Sequence, residues 1–203
     1  MPFASLLVAG LLLAAQPSAA HVPQLRGRLI DLVAQSDVVL IGTVTEVRPT
    51  ASRWHDTTMR VEQRLIGDAP DAVVTFRARP RVAPGQRFVF FLRRAGSNLE
   101  CVQLSGTVFP APAGDDAVYR ATITAIGQAL RLPAADRAAA MGAALIPALS
   151  AAAPPLRYHA VLELGALAHH GLSESQRRAL ERLAADPTTD PDIRPVLTSL
   201  IGN

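Results

Sequence analysis

Ser36-Asp37-Val38-Val39-Leu40-Ile41-Gly42-Thr43-Val44-Thr45-Glu46-Val47, closed by Pro49, is the stretch that decides the fold. It is β-branched, partly alternating and ended by a residue that cannot donate to a ladder, which is how a strand reads. Working outward, Thr57 to Leu65 alternates again, and Gly67-Asp68-Ala69-Pro70 is turn chemistry. From Ala72 to Ala78 the pattern has period two. Val74, Phe76 and Ala78 share one side, Thr75, Arg77 and Arg79 the other, and Pro80 ends it. Pro84-Gly85 is a turn. Arg87-Phe88-Val89-Phe90-Phe91-Leu92 is a short, nearly continuous apolar run, which predicts a strand buried on both faces. Leu99 to Phe109 reads as a fifth strand with a bulge at Gly106. Upstream, Gln24 to Ala34 carries Leu25, Leu29, Leu32 and Val33 on one side and predicts a short opening helix. Five short strands separated by Gly/Pro turns predict a small barrel or sandwich.

After Pro112 the period changes. Tyr119, Ile123, Ile126 and Leu130 form a helical stripe, although the β-branched run Val118 to Thr124 leaves a sixth strand open. Pro133 opens a helix over Ala134 to Leu149, and Pro155 opens another with Leu156, Ala160, Leu164 and Leu167 inward. Ser173 and Gln176 have capping-box spacing, and Asp190-Pro191 has the form of an N-cap followed by proline at the first helical position. Pro154-x-Leu156-Arg157 recurs 37 residues later as Pro191-x-Ile193-Arg194, and Leu164-Gly165 as Ile201-Gly202. This is similar to a HEAT-type helical repeat. Two copies bury too little surface to stand alone, so the helices are expected to pack on the strand half.

Taken together, SDVVLIGTVTEV, TTMRVEQRLIGDAPDAVVTF and VAPGQRFVFFL resemble small secreted bacterial domains with the OB-type barrel of the tissue-inhibitor-of-metalloproteinase (netrin-like) superfamily. Asp37, Gly42, Gly67, Gly85 and Arg87 carry the resemblance, which covers about residues 35–108. The eukaryotic inhibitors rely on disulfides and an N-terminal cysteine. Here Cys101 is the single cysteine, so the resemblance implies the barrel and not protease inhibition. The expected class is α+β: a leader over residues 1–20, an OB-like barrel with its short leading helix over 21–112, and a HEAT-like helical region over 113–203.

The leader reading rests on an uncharged start, an apolar run from Leu6 to Ala15, and Ser18-Ala19-Ala20 at the positions a signal peptidase reads. It implies a periplasmic or secreted protein with His21 at the mature N-terminus. No later stretch predicts stable membrane insertion, since Ala138 to Leu156 is alanine-dominated and cut by prolines.

Of 203 residues 49% are hydrophobic and 18% charged, enough for a packed core. All 20 basic residues are arginine, which excludes a lysine Schiff base or a phosphate-loop lysine. One cysteine excludes an internal disulfide and a multi-cysteine metal site. No G-x-S-x-G, H-E-x-x-H, C-x-x-C or glycine-rich phosphate loop occurs. No enzymatic activity and no cofactor are expected.

Four features carry possible chemistry. A mature N-terminal His21 offers an α-amine and a ring nitrogen that suit Cu(II), given a second histidine from His55, His159, His169 or His170. His169-His170 before Gly171 reads as the cationic end of a helix. Cys101, on a strand, reads as a buried thiol. Arg77, Arg79 and Arg81 lie at strand spacing within residues 21–132, which hold 14 arginines against 10 carboxylates, a net +4. They read either as an anion-binding face for an acidic partner or as a charged edge that resists aggregation. Nucleic acid is not expected, because an OB face for single strands needs several aromatics and Trp54 is the one exposed candidate. The sequence therefore predicts an exported, non-enzymatic protein-interaction module. Copper or other metal binding at His21 is the alternative.

Overall fold

The computed structural model describes residues 28–51, 53–68, 72–79, 82–102, 109–168 and 172–202. Its strands are β1 (Val38–Pro49), β2 (His55–Ile66), β3 (Val73–Ala78), β4 (Arg87–Ala95), β5 (Asn98–Cys101) and β6 (Phe109–Pro110). The first five close into a barrel in the order β1-β2-β3-β5-β4, with β4 returning to pair with β1. β3 and β5 run parallel at Arg77 and Glu100, and the other pairings are antiparallel. That order is the one an OB-like barrel has.

β1 and β4 explain why the barrel and the helices fold together. Val38, Leu40 and Val44 of β1 and Phe88, Phe90 and Leu92 of β4 point into the barrel, where they meet Met59, Val74, Phe76, Ala78 and Cys101. The alternate residues Val39, Ile41, Val89 and Phe91 point outward into a second core shared with the helices. Both faces of RFVFFL are thus buried, as its unbroken apolar run predicts. Residues of a strand alternate between faces, so a strand feeding two cores has no polar side left to show.

β1 reaches both neighbours by bending. Its register with β2 shifts at Val39/Leu40, Ile41/Gly42 and Val44/Glu46. Gly42 sits at the tightest point, where any Cβ would overlap the carbonyl oxygen of Arg60. Gly67 ends β2 with φ +71, and a Cβ there would strike the carbonyl of Asp37.

The helices are α1 (Leu29–Ala34), α2 (Asp116–Ala129), α3 (Ala134–Leu145), α4 (Pro154–Ala168), α5 (Glu174–Ala185) and α6 (Arg194–Gly202). Tyr119, Ile123 and Ile126 of α2, Leu145 of α3, Leu156, Ala160 and Leu164 of α4, Leu180 of α5 and Leu197 of α6 are fully buried in the shared core. The helices therefore use the outer faces of β1 and β4 as their floor. Among the described residues no helix is long and apolar enough to cross a membrane.

Several boundaries differ from the sequence reading. Of the strand expected over Leu99 to Phe109, β5 covers Asn98–Cys101 and β6 begins at Phe109, while residues 103–108, with the bulge expected at Gly106, lie outside the described residues. Val118 to Thr124 is helical, because Tyr119, Thr122, Ile123 and Ile126 bury a 3.6-residue stripe that outweighs β-propensity. The opening helix starts at Leu29, since Arg28 before it is extended (φ −82, ψ 144), and Leu25 lies outside the described residues. Pro147 cannot continue α3, so a 3₁₀ turn over Pro147–Ser150 follows it. α6 starts at Arg194, three residues beyond Pro191, since Pro195 lacks the N–H that would bond Pro191. The capping box forms as predicted: Ser173 Oγ accepts from Gln176 N, and Gln176 Oε1 accepts from Ser173 N.

The repeat has a third member that the sequence reading lacked. Tyr119-Arg120, Leu156-Arg157 and Ile193-Arg194 are spaced by 37, and Tyr119, Leu156 and Ile193 are all buried. The starts of these helices are linked by polar contacts. Asp115 accepts from Ala152 N (2.9 Å) and Ala153 N (2.6 Å) ahead of α4, and Arg157 donates to Asp190 (2.6 Å) ahead of α6.

Candidate functional site: the outer face of strands β2 and β3

β2 and β3 pair antiparallel with His55 opposite Ala78 and Asp56 opposite Arg77. Carried one step further, that register sets Trp54 opposite Arg79. Alternation turns Val74, Phe76 and Ala78 into the barrel and leaves Thr75, Arg77 and Arg79 exposed. The outer face is thus a ladder of cross-strand pairs: Trp54 with Arg79, Asp56 with Arg77, Thr58 with Thr75, and Arg60 with Val73. Phe76 packs on Phe90 beneath it, the ring centroids 4.7 Å apart and the planes tilted by 57°.

The pairs differ in charge. Arg77 lies 3.9 Å from an Asp56 oxygen, and the neighbouring Glu100 is 3.3 Å from Arg93. Arg60 lies 3.6 Å from Glu62. The Thr58 and Thr75 hydroxyls are 3.0 Å apart. Arg79 is different, because its guanidinium carbon lies 4.6 Å over the Trp54 ring and no carboxylate among the described residues pairs with it. Trp54 is in turn positioned by its own loop. Its carbonyl accepts from Thr50 Oγ1 at 2.7 Å and from Thr50 N at 3.3 Å. Exposed Arg53 precedes it.

The arginine series therefore resolves unevenly. Arg77 and Arg79 share the outward side, as the alternation predicts, whereas Arg81 lies outside the described residues. Within the described pair Arg77 is offset by Asp56 and Arg79 is not. The sequence reading singled out Trp54 and the arginines separately. Joining them requires the β2–β3 register, which no local pattern announces.

The remaining expected sites fall elsewhere. His21, His169 and His170 lie outside the described residues. His55 is part-buried at the start of β2, and His159 is 1% exposed in the shared core, its ring 4.9 Å from that of Phe109. No group of three or more His, Cys, Asp or Glu among the described residues is arranged to hold a metal. Cys101 is 1% exposed inside the barrel, the buried thiol its strand position predicts.

Two polar clusters are structural, the first of them around the Arg87 that carries the resemblance. Arg87 donates to both oxygens of Asp116 (2.8 Å each), to Glu62 (2.6 Å) and to the Ala111 carbonyl (2.6 Å). Hydrogen bonds from Thr43 and Arg87 hold the Glu62 carboxyl below its ordinary pKa. Glu163, 1% exposed, accepts from Arg28 Nε at 2.9 Å and Ile30 N at 3.2 Å, tying α1 to α4. A cleft of about 470 Å³ near the start of α4 is lined by Arg157, Asp186, Thr188 and Asp190. Arg157 is already engaged there with the Ala151 and Ala152 carbonyls and Asp190.

No protein-family model matches the chain, and no curated protein matches it in sequence.

Proposed function

We propose that the chain is an exported, non-enzymatic protein-interaction module that recognises an acidic protein partner through the outer face of β2 and β3. The observation that carries this reading is Arg79 held 4.6 Å over the Trp54 ring, with no carboxylate among the described residues paired to it. A guanidinium keeps its charge at any ordinary pH and offers a planar fork of donors that matches carboxylates. Export is supported by the leader-like residues 1–20, and the absence of enzymatic chemistry by the lack of any catalytic motif in the sequence. The barrel's strand order supports kinship with the OB-type barrels of the netrin-like superfamily. The 37-residue recurrence across α2, α4 and α6 supports a HEAT-like reading of the helices.

The test is a triple Arg77→Glu, Arg79→Glu, Arg81→Glu variant compared with wild type in pull-downs from the exported fraction at low and high salt. Arg77 and Arg79 are exposed, and exposed substitutions cost about 0.5 kcal/mol or less each, so the barrel is expected to survive theirs. Partners lost in the variant and weakened by salt support the reading. Identical partners at equal yield make the arginines an edge guard.

A further inference from the structure

We infer that the Trp54–Arg79 stack is a receptor for a single carboxylate, supplied by an Asp or Glu side chain of an acidic protein segment. The inference rests on the proposed acidic-partner face and narrows it to one pair of residues. The Arg79 guanidinium carbon lies 4.6 Å over the Trp54 ring, within reach of cation–π attraction. Its N–H donors form a planar fork, and no carboxylate among the described residues pairs with them, so they can take one from a partner. Holding a long side chain in one geometry removes the entropy cost that an unrestrained surface arginine meets on binding. The face selects the spot as well. One rung away, Arg77 already has Asp56 at 3.9 Å, and two rungs further Arg60 has Glu62 at 3.6 Å. An incoming carboxylate meets an unneutralised, oriented fork at Arg79 alone among these three. The Thr50 contacts to the Trp54 carbonyl fix the loop that carries the ring, so the receptor is in place before the partner arrives.

Trp54 is the only tryptophan in the chain, so its emission reports directly on the stack. The experiment titrates full-length protein, lacking only the leader, with an amidated hexaglutamate peptide. Amidated hexaglutamine and inorganic phosphate serve as comparison probes. The expected result is a saturable change in Trp54 emission with hexaglutamate and none with hexaglutamine. Calorimetry should show affinity at least fivefold weaker in Arg79→Lys, which keeps the charge but loses the fork, and no binding in Arg79→Glu. Arg77→Lys should bind as wild type does. If Arg79→Lys matches wild type while Arg79→Glu fails, charge alone suffices: the carboxylate receptor is overturned and the acidic-partner face stands. If Arg79→Glu binds as wild type but Arg77→Glu does not, the contact lies elsewhere on the face, with the same consequence. If no arginine on the face matters, both readings fall. Phosphate binding as tight as hexaglutamate would assign the spot to oxyanions in general and overturn the peptide assignment. Circular dichroism of each variant separates loss of binding from loss of fold.

Discussion

Arg87 of β4 grips the Asp116 carboxylate with two parallel hydrogen bonds of 2.8 Å, and so fastens the barrel to the first turn of α2. The pair sits among further bonds. Arg87 also holds Glu62 and the Ala111 carbonyl, while Gln63 donates to Asp116 at 2.6 Å and accepts from Arg120 at 2.8 Å. The arginine that the resemblance placed after the Pro84-Gly85 turn is thus a joint between the two halves, and not part of the exposed arginine face.

Asp116→Ala should therefore loosen the joint without dismantling either core. Hydrogen bonds to a charged group contribute about 1.5–3 kcal/mol, and Arg87 keeps Glu62 as a partner. The expected cost is about 2 kcal/mol, or a Tm lower by roughly 4–8 °C in a domain of this size. Replacing both partners together, as Arg87→Met with Asp116→Leu, strands neither charge of the pair but takes the Arg87 donor from Glu62 and the Ala111 carbonyl, so it should recover only part of that loss. Thermal melts of the single and double variants check this. A double variant less stable than Asp116→Ala would show that the pair does more than satisfy itself.

His159 gives the fold a pH dependence. Burial against Phe109 lowers its pKa from 6.5 to about 4, and its Nε2 has no hydrogen-bond partner. Between those values the unfolded chain binds a proton that the folded chain refuses. Stability is therefore complete above about pH 6.5 and falls as the pH drops toward 4, by up to about 3 kcal/mol from this residue. Glu62, whose carboxyl is held below its ordinary pKa, adds a further loss below about pH 4.5. His159→Phe should flatten the decline between pH 6.5 and 4.5 and leave the lower one. Denaturant melts at half-unit pH steps decide it, and an unchanged slope would exclude His159 as the source.

The helical region should not fold without the barrel. Leu156, Ala160 and Leu164 share one core with Val39, Ile41, Val89, Phe91 and Phe109. Expressing residues 133–203 alone removes that floor and also α2. Chain entropy then exceeds the apolar burial that remains. The fragment should melt without a cooperative transition and bind a hydrophobic dye. A sharp, reversible transition by circular dichroism would contradict this.

Much of this architecture was already legible in the residues. The alternation of Val74, Phe76 and Ala78 against Thr75 and Arg77, the double-sided burial of RFVFFL and the stripe of Tyr119, Ile123 and Ile126 are local periodicities. A strand or helix turns its side chains at a fixed angle per residue, so the pattern names the element and its buried face without reference to anything distant. The Ser173–Gln176 capping box is local for the same reason: its hydrogen bonds span three residues.

Other features were settled only when the chain closed on itself. The return of β4 to β1, the parallel meeting of β3 and β5, and the union of the outer barrel face with the helices depend on contacts tens of residues apart. So do the partners of each charge. An arginine reads the same in sequence whether an Asp56 stands 3.9 Å away, an Asp116 grips it from a helix 29 residues on, or a Trp54 ring lies beneath it. Composition sets how many charges the surface carries. Strand register alone decides which are neutralised, because ion pairing and stacking act over a few ångströms and sequence separation does not measure that distance.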